Sequence, residues 1–297
     1  MADTKLFRIS DNVQELPTTS VALEKDLQTL IENNMDTFLG VTFLKSEYKI
    51  TEGRIDSIGI DENNCPVIIE YKRHISENVI NQGLFYLHWL LDHQADFKLL
   101  VIDTLGLEKA QQIDWSMPCV ICIANDFTKY DVHAVNQIGK NIRLIRYKKF
   151  GPDLILLEQI NAPHVSPIKD TVRETASQPH KDKTFDEQLA IASPDIKQIY
   201  ENLHTHIMSL GDDITENKLK LYTAYKKMKN IICVQIQAKR ILLYLRLAPH
   251  HVPLEDGFCR NVTGIGHWGS GNVEVTIKKE ADFIKAKHMI LQAYQEN

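Results

Sequence analysis

Three residues of one short segment have the types and the spacing to do chemistry together: Asp56, Glu70 and Lys72. The segment, GRIDSIGIDENNCPVIIEYKR at residues 53–73, is typical of two short apolar strands joined by a polar turn. Because side chains alternate between the two faces of a strand, Glu70 and Lys72 share a face. An antiparallel pairing of the two strands would bring Asp56 close to Glu70.

Two carboxylates that converge on one point repel each other unless a proton or a cation lies between them. A hard cation with oxygen ligands, Mg²⁺ or Mn²⁺, would satisfy both carboxylates. A lysine beside that cation can polarise an attacking water and stabilise a negative phosphate. Together these residue types predict metal-dependent hydrolysis of a phosphodiester. A surface hairpin with an ordinary ion pair is the alternative, although the flanking apolar runs indicate partial burial.

The elements that must position these residues lie at about residues 20–160. Helical spacing of apolar residues predicts helices at 21–39, 76–94 and 127–139. Short apolar runs predict further strands at 97–103, 118–124, 141–150 and 153–160, with another helix between the first two of them. This alternation predicts an α/β sandwich built around a mixed sheet.

A change of composition divides the chain in two. Residues 161–184 contain three prolines and many polar residues without an apolar period, which is typical of an interdomain linker. We therefore predict a first domain at 1–160 and a smaller accessory α+β domain at 185–297. Apolar spacing in the second domain predicts helices at 195–210, 218–230 and 280–295 and strands at 231–238, 241–248 and 272–279.

The acidic segment resembles the signature of a known nuclease superfamily. Asp56 followed by Glu70, Tyr71 and Lys72 resembles the D…(D/E)xK pattern of the restriction-endonuclease-like superfamily, and GRID and IIEYKR are similar to its RecB-like and NucS-like branches. The resemblance covers residues 20–160, about half of the chain. It implies that Asp56 and Glu70 bind the metal with the Tyr71 carbonyl as a further ligand, and that Lys72 handles the water.

Two further features match those branches. Gln82 and Tyr86 form a QxxxY spacing, one helical turn apart on one face of the predicted helix. The resemblance implies that they position the scissile phosphate or bracket the site. Glu24 lies in the first helix, where this branch often adds an acid, and would contact a metal-bound water. The alternative for all three is that they are ordinary helix residues.

Basic residues predict where nucleic acid would contact the first domain. KNIRLIRYKK places Arg143, Arg146 and Lys148 on one strand and its end, and a basic edge of this kind can follow a phosphate backbone. Edge strands also carry lysine to block aggregation, so the pattern favours neither interpretation. Arg54 and Arg73 are predicted to contact nucleic acid as well.

Two stretches of the second domain bear on its partners. KLKLYTAYKKMK interleaves lysines with Tyr222 and Tyr225, and predicts either a helix that stacks tyrosines on bases or a solvated helix with its tyrosines in the core. In GIGHWGSG, at residues 264–271, four glycines surround His267 and Trp268. That tryptophan would either stack on a base, clamp a peptide, or pack into the core of a tight hairpin. The domain also resembles an uncharacterised module found behind nuclease-like domains, and would recruit a protein or nucleic acid.

Composition and cysteine usage set the class of protein. The 297 residues are 43% hydrophobic and 25% charged, as in globular proteins, and the net charge of -5 gives no overall basic signature for nucleic acid. The absence of an apolar signal core or a membrane-length apolar run predicts a cytoplasmic protein without a membrane partner. The odd count of five cysteines predicts reduced thiols. The pair Cys119 and Cys122 is interpreted as buried, because positions i and i+3 of a strand point to opposite faces.

The sequence therefore predicts a metal-dependent nuclease that acts on nucleic acid, DNA rather than RNA, in defence or repair. Two alternatives stay open: a catalytically silent nucleic-acid-binding module on the same fold, and a protein-interaction component of a larger assembly. Many such nucleases use two active sites to cut both strands, so the resemblance is compatible with a homodimer.

Overall fold

The computed structural model describes residues 4–9, 12–19, 23–73, 78–161 and 183–297. The chain forms two compact units. The first comprises residues 1–60, 66–113 and 118–165, and the second comprises residues 61–65, 114–117 and 166–297. The predicted domain boundaries stay a prediction, because most of the predicted linker at 161–184 lies outside the described residues.

The first unit alternates helices and strands, as predicted. Its strands are β1 (Leu6–Arg8), β2 (Gln14–Leu16), β3 (Thr18–Thr19), β4 (Val41–Ile50), β5 (Gly53–Asp61), β6 (Pro66–Lys72), β7 (Cys119–Ala124), β8 (Ile142–Phe150) and β9 (Leu154–Gln159). Its helices are α1 (Glu24–Asn33), α2 (Met35–Leu39), α3 (Val79–Asp92), α4 (Gln94–Leu105), α5 (Leu107–Gln111) and α6 (Lys129–Ile138).

One mixed sheet of seven strands organises this unit. Its order is β3-β8-β7-β6-β5-β4, and β9 also pairs with β8. The strands β6, β7 and β8 run parallel, whereas β5 pairs antiparallel with β6. All of β7 and nearly all of β6 are buried, as expected for parallel strands covered on both faces. The predicted mixed α/β fold is confirmed, and it places the acidic segment inside the sheet.

Helix α3 packs directly on the sheet against β6 and β7. Gly83 permits this close approach, since a Cβ atom there would lie only 2.5 Å from Val120 Cγ1. Because Gly83 lies within the QxxxY spacing, the same approach brings Gln82 and Tyr86 to the sheet.

We expect Gly83→Ala to destabilise the protein by about 1–3 kcal/mol, the usual cost of forcing extra volume into a tight contact. Urea unfolding measures the change in the free energy of unfolding. The control is Asn81→Ala on the exposed side of the same helix. Equal stability of the two variants would contradict the packing argument.

The predicted strand at 97–103 is wrong, because these residues belong to helix α4. Phe97 and Val101 are buried, four residues apart, while Leu99 between them is 57% exposed. In a strand, these three side chains would share one face, whereas helical spacing separates them. A short apolar run does not by itself distinguish a strand from a helix with one buried face.

The second unit is a sheet covered by helices on one face. Its strands are β10 (Thr215–Lys218), β11 (Thr223–Lys226), β12 (Asn230–Gln237), β13 (Arg240–Leu245), β14 (Cys259–Asn261) and β15 (Val273–Ile277). Its helices are α7 (Phe185–Ile191), α8 (Pro194–Met208) and α9 (Glu280–Glu296), with a 3₁₀ turn at Pro249–His251. The order β10-β11-β12-β13-β15-β14 is antiparallel throughout. Apolar residues of α8, α9 and the facing strands form its core, including Leu203, Leu243, Val275 and Ile290.

The predicted helix at 218–230 is also wrong. Strands β10 and β11 form a hairpin there, and the turn is closed by a hydrogen bond from the Leu219 N–H to the Tyr222 carbonyl. Tyr222 and Tyr225 are both buried, so neither is available to stack on a base. Pairing with the neighbouring strand β12 decided the structure against the local helical pattern.

Cysteine placement agrees with the sequence. All five cysteines are free and buried, which confirms the interpretation of Cys119 and Cys122 as buried thiols. Within the described ranges, no helix is long and apolar enough to cross a membrane. The cytoplasmic location stays a prediction.

Candidate active site

The acidic pair lies where strands β5 and β6 separate. Their regular antiparallel register ends at the pair Ser57–Ile69. Beyond it, carboxylates accept the backbone hydrogen bonds: the Tyr71 N–H donates to Asp56 Oδ2 at 3.1 Å. The Asp56 N–H in turn donates to Glu70 Oε1 at 3.2 Å. The predicted approach of Asp56 to Glu70 is confirmed.

Burial makes this carboxylate pair electrostatically unfavourable without a cation. Glu70 is only 1% exposed, and burial together with the negative charge of Asp56 raises the pKa of Glu70 to about 8. Burial also raises the pKa of Asp56, although the Tyr71 N–H and the charge of Lys72 oppose that rise. In the absence of a cation, Glu70 therefore holds a proton at neutral pH.

The two carboxylates border a cleft of about 590 Å³. This cleft brings together every residue predicted as catalytic: Glu24, Asp56, Glu70, Lys72, Gln82 and Tyr86. Its charged lining contains three acids and three bases, the bases being Lys49, Arg54 and Lys72. A divalent cation added to this balanced set would leave an excess of positive charge, which suits an anionic phosphate ligand.

Glu24 holds the end of β6 from the first turn of α1. Its Oε1 lies 3.6 Å from Lys72 Nζ, and its Oε2 accepts the Arg73 N–H at 3.0 Å. Lys72 is largely buried, with 22% of its side chain exposed, so this acid limits where the ammonium group can point. The predicted contact of Glu24 with a metal-bound water stays a prediction.

Helix α3 contributes two polar side chains to the cleft. Tyr86 is buried, and burial raises the pKa of its hydroxyl, so the group stays protonated as a hydrogen-bond donor. Gln82 Oε1 is buried and has no hydrogen-bond partner among the described residues. A buried amide oxygen without a partner is costly, so this atom is placed to accept a hydrogen bond from a bound water or ligand.

A polar stripe on one face of α1 supports strand β5, which carries Asp56. The sequence analysis did not identify this stripe. Gln28 and Glu32 follow Glu24 at four-residue spacing and share its helix face. Gln28 is 4% exposed, and its Nε2 donates to the Asp56 carbonyl at 2.8 Å and to Glu32 Oε1 at 2.9 Å. Ser57 Oγ donates to the same Glu32 oxygen at 2.6 Å. The four-residue spacing of Glu24, Gln28 and Glu32 is the sequence pattern from which this polar helix face could have been predicted.

Gln28→Ala is expected to lower the free energy of unfolding by about 1–3 kcal/mol, since it removes the side-chain donor of the Asp56 carbonyl and one of the two donors to Glu32 Oε1. Chemical denaturation of the full chain measures the loss. Thr29→Ala, at the next and exposed position of α1, is the matched control. A Gln28→Ala protein as stable as this control would show that the stripe does not hold β5.

Three basic residues lie near the acidic pair. Arg54 is exposed at the cleft, and its Nε lies 2.5 Å from Glu47 Oε2. Lys49, which the sequence analysis did not single out, lines the same cleft from strand β4. Arg73 Nε is buried without a hydrogen-bond partner among the described residues. Lys49 and Arg54 are therefore the cations placed to meet a ligand in the cleft.

The basic run on β8 is not an edge, because this strand is paired with β7 on one side and with β3 and β9 on the other. Arg143 is buried, and its Nε donates to Gln159 Oε1 at 2.8 Å. Arg146 is buried as well and pairs with Asp126 and Glu158 at 3.2 and 2.7 Å. Burial and internal pairing disagree with their predicted role as phosphate contacts. Lys148, farther along the same strand, is half-buried.

The cleft offers two carboxylates as ligands for a metal ion. Among the residues that the structure describes, no group of three or more His, Cys, Asp or Glu side chains is placed to hold a metal ion. Mg²⁺ commonly uses one or two protein carboxylates and keeps several waters. Asp56 and Glu70 fit that donor set, since their mutual repulsion is relieved by a cation.

Comparison with known proteins covers both units. Residues 23–104 match the family described as Endonuclease NucS C-terminal domain, and residues 185–297 match a Domain of unknown function (DUF5655). A protein of Haemophilus influenzae, described as an uncharacterized protein, is 32% identical over 292 residues. That alignment covers 96% of this chain and 97% of the relative.

These matches define the class of the chain: a restriction-endonuclease-like domain of the NucS-like branch, followed by a domain of unknown function. The whole chain belongs to the same family as the Haemophilus influenzae protein, because the two align over nearly their full lengths.

Two solved structures overlap part of the chain. A repair endonuclease from Pyrococcus abyssi is 14% identical with a TM-score of 0.29, covering 48% of this chain and 65% of its own. A structure of an EndoMS–dsDNA complex is 16% identical with a TM-score of 0.26, covering 48% and 64%. This chain thus spans a little less than two thirds of either structure.

Proposed function

We propose that the first unit is a Mg²⁺- or Mn²⁺-dependent phosphodiester hydrolase that acts on nucleic acid. The observation that carries the proposal is the buried pair Asp56 and Glu70, with Lys72 beside it, in a cleft lined by additional cations. A purely structural ion pair gives no reason to bury two repelling carboxylates together. The match to an endonuclease family over residues 23–104 supports the same class of activity.

Asp56 and Glu70 would hold the cation, with the Tyr71 carbonyl as a further ligand. The backbone hydrogen bonds from the Asp56 and Tyr71 N–H groups hold the two carboxylates in place for this role. When bound, the cation supplies charge stabilisation for the phosphate and acidifies a coordinated water.

The chain's own residues would perform the remaining tasks. Lys72 would donate a hydrogen bond to the attacking water or to a phosphate oxygen, with Glu24 holding its ammonium group. The Gln82 amide and the Tyr86 hydroxyl would orient the phosphate from α3. Arg54 would contact a neighbouring phosphate.

A catalytically silent nucleic-acid-binding module is the second candidate. One observation favours it: Asp56 and Glu70 already accept backbone N–H groups and so have a structural role without a metal. A silent module would bind nucleic acid with a strong salt dependence but would not cut it.

A cleavage assay separates the two candidates. Labelled single-stranded, double-stranded and branched DNA and single-stranded RNA are incubated with the full chain in EDTA, Mg²⁺ or Mn²⁺. We propose DNA as the substrate class, with RNA as the alternative, and a role in defence or repair. Metal-dependent cleavage supports the hydrolase, whereas binding without cleavage in every condition supports the silent module. The homodimer stays a prediction.

A further inference from the structure

The sheet of the second unit has one face that its helices do not cover. Residues alternate along β12 and β13, and the register pairs Cys233 with Tyr244 and Gln237 with Arg240 on that face. On the neighbouring strand β15, Glu274 and Thr276 continue the same face. All of these side chains except the buried Cys233 border a groove of about 520 Å³. The groove crosses four adjacent strands, a width of about 14 Å at the usual strand spacing.

The glycine-rich loop at residues 264–271 forms one wall of this groove. The His267 ring stacks on Tyr244, with ring centroids 4.2 Å apart and planes within 3°. The Ser270 N–H donates to Cys233 Sγ at 3.3 Å. Gly269 has φ +86°, and a Cβ there would lie 2.6 Å from Cys233 Cβ, so no other residue fits this approach. The loop is therefore held tightly against the sheet.

Trp268 is the side chain that this rigid loop presents. It is 41% exposed and lines the groove, so it does not pack into the core of a hairpin. Exposing so large an apolar surface is costly in water, and holding it on a fixed backbone reduces the entropy lost when a partner binds. A flat, preorganised indole beside a polar groove is suited to stacking on a planar ligand.

The charge of the groove selects the ligand. Arg240, Arg260 and Lys278 line it, against a single acid, Glu274. Arg260 donates to both oxygens of that buried carboxylate at 2.8 Å, yet 63% of its side chain remains exposed. Glu274 therefore fixes the guanidinium in place, and the groove keeps an excess of two positive charges.

We propose that this groove binds single-stranded nucleic acid. Trp268 stacks on one base, while Arg240 and Lys278, adjacent by the register of β13 and β15 at the end of the groove away from Tyr244, contact backbone phosphates farther along the strand. Duplex nucleic acid offers no accessible base face for this stacking, so single strands are preferred. The binding does not depend on the phosphodiester hydrolase proposed for the first unit.

The test measures binding by the full chain in EDTA, where metal-dependent cleavage cannot occur. The full chain is titrated into fluorescein-labelled oligonucleotides of about 20 nucleotides, and binding is followed by fluorescence anisotropy. The oligonucleotides are single-stranded DNA, single-stranded RNA and double-stranded DNA. Trp268→Ala is expected to weaken single-strand binding about tenfold, the effect of losing one stacked base. Trp268→Phe retains a ring and is expected to recover most of that loss. Tryptophan emission is expected to be quenched by single strands in the wild type and less so in Trp268→Ala.

Charge removal provides a second measurement that does not depend on the tryptophan. Arg240→Ala and Lys278→Ala are each expected to lower the salt slope of single-strand binding by about 0.7. Ile284→Ala and Lys287→Ala, exposed changes on α9, are the apolar and cationic controls. Binding that is unchanged in Trp268→Ala, or stronger for duplex than for single strands, would overturn the proposal. If the protein binds single strands through Trp268 but cleaves no substrate, the groove proposal is supported and only the proposed hydrolase activity is contradicted.

Discussion

Asp56→Asn is expected to reduce metal-dependent cleavage by roughly 100- to 1,000-fold, the range for losing one electrostatic stabilising group. The substitution preserves the shape of the side chain, and its amide oxygen can still accept the Tyr71 N–H. It removes one of only two carboxylates that would hold the cation. Because that backbone hydrogen bond can be kept, the loss is expected to reflect metal binding and not a disturbed strand.

Lys72→Met should reduce cleavage by a similar factor, because it retains the length of the side chain and removes its ammonium group. Single-turnover cleavage of a labelled DNA gives the rate constants, and circular dichroism confirms the fold. Asp36→Asn, the same chemical change at an exposed position of α2, serves as the matched control and should cleave at the wild-type rate. If Asp56→Asn and Lys72→Met both cleave at the wild-type rate, this cleft is not the active site.

In the metal-free protein, the free energy of unfolding is expected to fall as pH rises from about 4.5 to about 8. The folded protein keeps the Glu70 proton up to about pH 8, whereas the unfolded chain releases it near 4.5, the ordinary pKa of a glutamate. Between these values the folded state binds more protons, so raising the pH destabilises it. Below about pH 4.5 both states are protonated and this stabilisation is complete.

Mg²⁺ should reverse that loss at pH 8, because the cation takes the place of the proton between the two carboxylates. At 100 times its Kd, a bound ligand stabilises a protein by about 2.7 kcal/mol. Thermal unfolding should therefore shift upward by several degrees at pH 8 and far less at pH 5. This readout does not depend on catalysis.

Glu70→Gln is expected to remove both the pH slope and the Mg²⁺ effect, since it carries a neutral side chain of the same shape. Glu108→Gln, an exposed change on α5, should keep both. If Mg²⁺ fails to stabilise the wild type at pH 8, or stabilises Glu70→Gln equally, the acidic pair is not a metal site.

Local sequence patterns were sufficient to predict an element when one face of that element is buried and the elements it packs against lie nearby in the chain. The hairpin of β5 and β6 was predictable because alternation and a polar turn define its register. The helical spacing around Gln82 and Tyr86 was equally clear. The strand predicted at 97–103 failed because a short apolar run does not distinguish a strand from a helix with one buried face. The helix predicted at 218–230 failed because pairing with the neighbouring strand β12 overrode the local helical pattern.

The sequence by itself determined the mixed α/β class, the acidic pair with its lysine, and the buried cysteines, because these follow from periodicity and residue type. Only the tertiary structure decided that Gln28 supports Asp56, that Arg143 and Arg146 are buried and paired, and that Trp268 is presented at a groove. Each depends on which distant segments meet, and side-chain periodicity carries no information about that meeting. Tertiary burial removes Arg143 and Arg146 from solvent. Burial of Glu70, together with the charge of Asp56, raises the pKa of Glu70 and makes the carboxylate pair a candidate metal site.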